Sequence, residues 1–202
     1  RDSQEPGRLP HAFDRAWLQG AVISATVCRI LLVGFMGSGK SSVGRVLAAA
    51  LGWRFIDADQ TLEDDLDTPI AALFQEHGEA FFREKERTTM AALLDEEGVV
   101  IATGGGWAAQ PQWVDGLPPG TGTVWLQVTA VEAVGRVQAE PGKRPLLDSD
   151  EPVDTARKLV ESRSPSYALA EWKVDTEGRS VEDVSARILE MFSGNDLILD
   201  AE

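Results

Sequence analysis

Five residues have the types and spacing that phosphate chemistry requires: Gly34, Gly37, Gly39, Lys40 and Ser41, in the pattern G-x-x-x-x-G-K-S. Glycines allow a turn so tight that several backbone N–H groups face one anion. The lysine adds a mobile positive charge for β- and γ-phosphates, and the serine hydroxyl can ligate Mg²⁺. The pattern therefore predicts a nucleotide-binding loop. Its predicted contacts are Gly37, Ser38, Gly39, Lys40, Ser41 and Ser42.

The segments on either side of this loop match the context that it requires. Ile30 to Val33 is a short apolar run, typical of a strand buried on both faces. After the loop, apolar residues recur at helical spacing as far as Leu51, and Gly52 is a common type of helix end. The helix would add its positive N-terminal dipole under the phosphates. A glycine-rich turn that binds nothing is the alternative, and this context disfavours it.

Two further groups of candidate residues follow later strands. Residues 53–56 read as a strand that ends at Asp57 and Asp59, and residues 98–103 read as a strand that ends at three successive glycines. Ligands of open parallel sheets bind beyond the carboxyl ends of the strands, where carboxylates can meet a metal or a hydroxyl. Bare glycine backbone lets a ligand come close. Taken alone, both groups also fit solvated or flexible turns.

The elements that position these residues indicate the fold class. Further strands are predicted at 123–128 and 173–176, with helices within 60–97 and at 131–137, 155–162 and 181–192. Thr68-Pro69 resembles a helix start, with a capping hydroxyl before proline, and Gly78 indicates a helix end. Strands that alternate with helices predict a three-layer α/β/α domain around a parallel sheet.

The predicted domain covers residues 23–192, with substrate-binding helices at about 60–97. Residues 138–152 combine glycine, proline and charged residues, a composition common in mobile lids over active sites. Residues 1–22 read as a flexible extension and residues 193–202 as a tail.

Composition restricts the class of protein and its partners. The 202 residues are 43% hydrophobic and 26% charged, which is ordinary for a globular domain. The net charge of −14 disfavours nucleic acid as a partner. The single cysteine, Cys28, cannot form an internal disulfide and fits a reducing compartment. With no apolar run of about eighteen residues, a membrane span is not expected, and we expect a cytoplasmic monomer.

Six motifs in order resemble a known family. They are G-F-M-G-S-G-K-S at 34–41, F-I-D-A-D at 55–59, G-E-A-F-F-R-E-K-E at 78–86, A-T-G-G-G at 102–106, R-P-L-L at 144–147 and S-R-S-P-S-Y at 162–167. Over about residues 27–192 the chain resembles shikimate kinase. The resemblance implies a P-loop kinase that transfers the γ-phosphate of ATP to the 3-hydroxyl of shikimate, with Mg²⁺ as cofactor. This is a step of chorismate and aromatic amino-acid biosynthesis.

The resemblance also implies roles for individual residues at the phosphate end. Lys40 and the loop amides would hold the phosphates. Ser41 would ligate Mg²⁺, and Asp57 would support the metal through water. Asp59 would bind the reacting hydroxyl and take its proton.

At the substrate end, Arg83 and Arg163 resemble the pair that grips the shikimate carboxylate. The substrate contacts that the resemblance implies are Asp59, Arg83, Gly104, Gly105 with its backbone N–H, Gly106 and Arg163. Arg144 resembles the lid arginine that closes on the transferring phosphate. Arg136 and Arg179 resemble positions near the adenine.

Two positions depart from the family pattern. Trp107 follows the three glycines, where a small residue is usual, so we expect it to narrow or reshape the substrate pocket. Asp67 stands where a glycine is common, and we expect it to alter only a helix junction.

Other functions remain compatible with parts of the sequence. A gluconate kinase would suit L-G-W-R-F-I-D-A-D at 51–59, whereas a nucleoside monophosphate kinase would need a different lid. A nucleotide-binding module without catalysis would be expected to lack Lys40, Asp59 or the arginines, and the chain retains them all.

Overall fold

The central sheet of the described residues, 27–139 and 151–193 in the computed structural model, has five parallel strands. They are β1 (Arg29–Val33), β2 (Arg54–Asp57), β3 (Val99–Ala102), β4 (Thr121–Gln127) and β5 (Trp172–Asp175). Their order is β2-β3-β1-β4-β5, and each neighbouring pair is parallel. The predicted parallel sheet is confirmed, and each strand lies close to its predicted position.

Helices follow the strands as the sequence predicts. They are α1 (Lys40–Leu51), α2 (Ala58–Leu66), α3 (Ile70–Leu94), α4 (Ala130–Ala139), α5 (Pro152–Tyr167) and α6 (Val181–Phe192). Two short 3₁₀ turns, Trp107–Ala109 and Pro111–Val114, connect β3 to β4. The alternation confirms the expected α/β fold.

Alternate residues of β1 face the two helical layers, because side chains of a strand point in turn to opposite faces. Ile30 and Leu32 pack with α1 and α6. Leu31 packs with α2 and α3, and Val33 packs with α4 and α5. All four side chains are fully buried. The continuous apolar run that predicted a strand covered on both faces therefore reflects the three-layer arrangement.

The register of the sheet brings the candidate residues to one edge. Leu32 lies opposite Ala102 in β3 and Val124 in β4, and Asp57 at the end of β2 also lies opposite Ala102. Since the strands are parallel, their carboxyl ends meet at the same edge. The phosphate loop, the start of α2 and the three glycines therefore emerge side by side.

The prediction that the Thr68 hydroxyl caps α3 is wrong. Pro69 is the N-cap without a side-chain bond, and the Thr68 hydroxyl donates to Leu66 O at 2.9 Å instead. Glu63 from α2 replaces it, because its carboxylate accepts the Ile70 N–H at 2.8 Å. Proline has no side-chain oxygen that could accept the first N–H groups of the helix, so the carboxylate of the preceding helix accepts one of them instead.

Glycine and aspartate mark the breaks on either side of this cap. Gly78 interrupts α3 with φ 77° and ψ 175°, which separates two helical parts where the sequence predicts an end. Asp67 is the C-cap of α2 at φ 46°. Its position confirms that the departure from glycine falls at a helix junction.

The predicted end of α5 at residue 162 is wrong, since the helix continues through Pro165 to Tyr167. A proline inside a helix leaves the carbonyl four residues earlier without its N–H partner. Here that residue is Glu161, and both Glu161 and Pro165 are exposed, whereas Tyr167 is buried. Solvent can donate a hydrogen bond to the Glu161 carbonyl while the opposite side of the helix stays packed in the core, and the helix can therefore continue. As a result, Arg163 lies within the helix rather than after it.

Several predictions fall outside the described residues. These are the extension at 1–22, Arg144 with most of the lid at 138–152, and almost all of the tail at 193–202. Among the described residues, every helix is too short or too polar to span a membrane.

Candidate active site

The N-terminus of α1 is arranged to receive an anion. Gly39 is its N-cap in the left-handed region (φ 88°), no described side chain caps it, and its first turn has no acidic residue. By contrast, Asp57 caps α2 and Ser180 caps α6. The first N–H groups of α1 and its positive dipole are therefore available to a phosphate.

Two glycines of the loop are required by both backbone conformation and space. Gly34 has φ 142° and Gly37 has φ 73°. A Cβ on Gly34 would lie 2.5 Å from the Leu126 carbonyl oxygen, and one on Gly37 would lie 2.7 Å from that of Ala133. A larger residue at either position would push the loop away from β4 or α4.

Lys40 lies over the loop backbone. Its Nζ donates to the carbonyl oxygens of Gly34 at 2.9 Å and Phe35 at 3.0 Å. The Ser38 hydroxyl in the same loop is fully buried and has no hydrogen-bond partner among the described residues. The positive charge and this donor both belong to the loop that is predicted to hold a phosphate.

Ser41 and Asp57 form the candidate metal pair. The Ser41 hydroxyl donates to Asp57 Oδ2 at 2.6 Å, while Asp57 Oδ1 accepts the Asp59 N–H at 3.2 Å. Hydroxyl and carboxylate oxygens suit Mg²⁺, which completes its shell with water and substrate phosphates rather than with many protein ligands. The described residues contain no cluster of three or more acidic, histidine or cysteine groups that could hold a metal alone. The pair therefore fits Mg²⁺.

Asp59 and Glu86 converge on Gly104. A Cβ at Gly104 would lie 2.6 Å from Asp59 Oδ1 and 2.8 Å from Glu86 Oε1. Gly104 follows β3, which lies beside β2 in the sheet, so the loop after β3 meets the start of α2. In the sequence Glu86 stands three residues after Arg83, at the end of the motif at 78–86, and this spacing does not show that the side chain is buried. The structure places it at the site with 6% exposure.

Arg83 reaches the next part of the triple glycine from α3. Its Nη1 donates to Glu86 Oε2 at 2.7 Å and its Nη2 donates to Glu79 Oε1 at 3.3 Å. A Cβ on Gly106 would clash with Nη1 and lie 2.8 Å from Nη2. Arg83 is more than an exposed partner of these acids, because only 27% of its side chain is exposed and its guanidinium packs on Gly106.

Arg163 approaches the same loop from α5. Its Nη1 donates to the Gly105 carbonyl oxygen at 3.4 Å, and its Cζ lies 5.9 Å from the centre of the Phe35 ring. Gly105 in turn lies against the phosphate loop, where its Cβ would be 3.5 Å from Gly34 O. The two arginines, far apart in sequence, thus lie beside the same Gly105–Gly106 peptide unit.

Burial raises the pKa of Glu86 above its ordinary value. The adjacent Arg83 opposes the rise, the charge of Asp59 adds to it, and the charge of Arg163 opposes it. Glu86 therefore senses the charge of Asp59, the candidate hydroxyl-binding group, as well as the charges of Arg83 and Arg163.

This raised pKa has a consequence for stability. Ionisation of Glu86 is harder in the folded state than in the unfolded state. The contribution of protonated Glu86 to the free energy of unfolding is therefore complete below the ordinary pKa of 4.5, and it is lost as pH rises through the raised pKa. We expect the free energy of unfolding of the wild type, measured in urea, to fall with rising pH relative to that of Glu86→Gln in this window. A pH-independent difference between the two proteins would contradict the assignment.

Arg136 ties α4 to the phosphate loop and to the turn after β5. It donates to Gly37 O at 3.2 Å and to the Thr176 carbonyl oxygen at 2.8 Å, and it pairs with Glu132 at 3.0 Å. The N–H of Arg179 also donates to Thr176 O, at 3.4 Å. The two residues expected near the adenine therefore meet at one turn beside the loop, while their adenine contact stays a prediction.

Trp107 contacts the core. Its ring centre lies 5.8 Å from that of Trp113, whose indole N–H donates to Ser166 O in α5 at 2.9 Å. Trp107 packs against the clusters on that face of the sheet. Its effect on the pocket stays a prediction, as does the role of Arg144, which lies outside the described residues.

Comparison with known proteins finds shikimate kinases that are similar to this chain over most of its length. The family model described as shikimate kinase matches residues 36–193. A shikimate kinase from Synechococcus sp. (strain RCC307) is 41% identical over 82% of this chain and 84% of its own length. One from Moorella thermoacetica is 43% identical over 80% and 92%, respectively.

Solved structures separate the family from its neighbours in fold. The shikimate kinase from Acinetobacter baumannii in complex with shikimate has a TM-score of 0.77 and 31% identity, over 85% of this chain and 96% of that one. A gluconokinase from Sinorhizobium meliloti 1021 reaches a TM-score of 0.55 at 19% identity, over 86% and 98%. At that identity the gluconokinase shares the fold alone. By the family match and by the identity to its relatives, this chain belongs to the shikimate kinase family.

Proposed function

We propose that this enzyme transfers the γ-phosphate of ATP to the 3-hydroxyl of shikimate. The observation that carries the proposal is the convergence of Arg83 and Arg163 on the Gly105–Gly106 peptide unit, next to Asp59. The relatives named above are shikimate kinases, and one solved relative is a complex with shikimate. Gluconate phosphorylation and a non-catalytic role remain the alternatives that experiment must reject.

The positive charges of Arg83 and Arg163 support the binding of a small hydroxy acid at this end of the site. The chain carries a net charge of −14, so an anion needs a local concentration of positive charge. Two guanidinium groups beside one peptide unit supply it, and a planar guanidinium can hold a carboxylate with two parallel hydrogen bonds. In this proposal the carboxylate lies between Arg83 and Arg163, and the Gly105 N–H completes its hydrogen bonds.

The reacting hydroxyl then lies towards Asp59. In this proposal Asp59 accepts the hydrogen bond of the hydroxyl, orients its oxygen towards the γ-phosphate and takes its proton. Glu86, on the other side of Gly104, holds Arg83 in place. Phosphoryl transfer passes through a loose transition state, so positioning and charge neutralisation contribute most to the rate.

The phosphate end uses the loop and the metal pair. Loop amides and Lys40 hold the β- and γ-phosphates, with Ser38, Gly39 and Ser42 among the contacts. Ser41 and Asp57 are the residues that would hold Mg²⁺, which, when bound, neutralises phosphate charge. Arg136 and Arg179 border the adenine, and Arg144 closes on the transferring phosphate.

We further propose a cytoplasmic monomer that acts on small molecules and not on nucleic acid or membranes. The acidic net charge supports a self-repelling protein with little attraction to nucleic acid. The single cysteine fits a reducing compartment.

The function is tested by measuring ADP release with ATP and each of four substrates: shikimate, quinate, gluconate and the carboxamide of shikimate. We expect the highest kcat/KM with shikimate. The carboxamide should lose about ten- to a hundredfold, because each charge-assisted contact contributes roughly 1.5–3 kcal/mol. A higher kcat/KM with gluconate would assign the rival substrate. ATP binding without turnover of any acid would support a non-catalytic module.

The packing of Arg83 on Gly106 gives a more local prediction. Gly106→Ala should lower kcat/KM for shikimate by about ten- to a hundredfold, because a Cβ would occupy the space of the guanidinium, while KM for ATP changes by about twofold or less. Gly116→Ala is the matched control, since a Cβ there meets no atom within 4 Å. Equal activity of the two variants would show that Arg83 does not depend on Gly106.

A further inference from the structure

Tyr167, the only tyrosine of the chain, connects α5 to the triple glycine. Its side chain is 1% exposed, and its hydroxyl donates to the Gly105 carbonyl oxygen at 2.6 Å. The ring is held in the core beside Trp125, with ring centres 6.1 Å apart. The hydroxyl therefore has one fixed position, directed at the loop that carries the candidate substrate contacts.

Tyr167 and Arg163 share this acceptor. Arg163 lies one helical turn earlier on α5, and its Nη1 reaches the same carbonyl oxygen at 3.4 Å. Burial raises the pKa of the Tyr167 hydroxyl, and the neighbouring Arg163 charge opposes the rise. The phenol is thus a neutral donor that holds the carbonyl while the guanidinium lies next to it.

The orientation of the Gly105 carbonyl also determines the orientation of the next N–H group, that of Gly106. In a trans peptide, fixing the Gly105 C=O also fixes the Gly106 N–H in the opposite direction. Gly106 is the residue against which Arg83 packs. Of the two hydrogen bonds that this carbonyl accepts from α5, the one from Tyr167 is the shorter, at 2.6 Å against 3.4 Å, and it fixes the peptide plane beside which both arginines lie.

We propose that Tyr167 is a positioning residue for substrate binding: its hydroxyl fixes the Gly105 carbonyl and thereby sets the Arg163 guanidinium for the substrate carboxylate. The inference rests on the proposed function. It adds a residue that touches neither ATP nor the reacting hydroxyl. A tyrosine that only filled the core would affect stability alone.

The first test is Tyr167→Phe, which keeps the ring and removes only the hydroxyl. We expect KM for shikimate to rise about three- to tenfold, the range of a lost buried hydrogen bond, with kcat and KM for ATP nearly unchanged. Thr123→Val is the control, because Thr123 is buried and the change removes its hydrogen bond with the Glu171 N–H, in the chain just after α5. It should lower Tm while leaving KM for shikimate unchanged.

A double-mutant cycle then tests the route through Arg163. In an Arg163→Ala background, Tyr167→Phe should have almost no further effect on kcat/KM for shikimate, because interacting residues are non-additive. Independent effects of the two changes would overturn the proposal. So would an unchanged KM for shikimate in Tyr167→Phe, or an equal change in both KM values.

Failure of the proposed function is distinguishable from failure of this inference. If the wild type shows no shikimate-dependent turnover, the function itself is rejected before any variant is compared. Should Tyr167→Phe fold poorly, 3-fluorotyrosine can replace the single tyrosine of this chain. Its one ¹⁹F resonance should shift with shikimate and not with ATP alone. The absence of a shikimate-dependent shift would overturn the inference.

Discussion

Lys40→Met is expected to lower shikimate-dependent turnover by about a hundred- to a thousandfold or more, the range for loss of a preorganised group that stabilises transition-state charge. The amine lies 2.9 Å from Gly34 O and 3.0 Å from Phe35 O, at the centre of the loop. Methionine keeps the length and the helix propensity of lysine at the start of α1. The loss should therefore appear in kcat with the fold intact.

The measurement is ADP release together with thermal unfolding of the same samples. Lys158→Met is the matched control, because Lys158 is an exposed lysine on α5 and is not part of the phosphate loop. It should retain wild-type turnover. A well-folded Lys40→Met enzyme with near wild-type kcat would reject the role given to this lysine.

The second large effect is expected at Asp59. Asp59→Asn keeps the shape of the side chain but removes its charge and its capacity to accept a proton, and general bases typically contribute about 10²–10⁴-fold. Because positioning matters more than proton transfer in a loose transition state, we expect the lower end, a fall in kcat of about a hundredfold. Binding of ATP, measured by calorimetry, should persist.

Two comparisons sharpen this prediction. Asp64→Asn, an exposed change on the same helix, should have little effect on kcat. The Asp59 charge also helps to raise the pKa of Glu86, so Asp59→Asn should bring that pKa closer to 4.5 and narrow the pH range over which the wild type loses stability relative to Glu86→Gln. An effect confined to KM for ATP would instead place Asp59 with the metal pair.

What could be predicted from the sequence was local. The phosphate loop and α1 depend on spacing within a dozen residues, and glycine types there reflect backbone angles such as φ 88° at Gly39. The alternating strands and helices were sufficient for the fold class. Six motifs in fixed order were sufficient for the family, because their combination is far more specific than any one of them.

What could not be predicted depended on burial and on contacts between distant elements. Glu86 looks like any helical acid until α3 packs it against Gly104. Tyr167 lies in a recognised motif, yet its partner is 62 residues away in sequence. The continuation of α5 through Pro165 required knowledge of which side of the helix faces solvent. Local propensity gave the wrong end because tertiary packing overrides it.

The strand order also determines when this site can exist as the chain is synthesised. β1 lies between β3 and β4, and β2 pairs only with β3, so the first two strands have no native neighbour until Val99–Ala102 leaves the ribosome. Non-local parallel pairing of this kind gains contacts only after long loops have closed. The phosphate loop is made early, but the site remains incomplete until α5 delivers Arg163 and Tyr167. A nascent chain that stops before α5 therefore carries the phosphate-binding motif without a complete substrate-binding site.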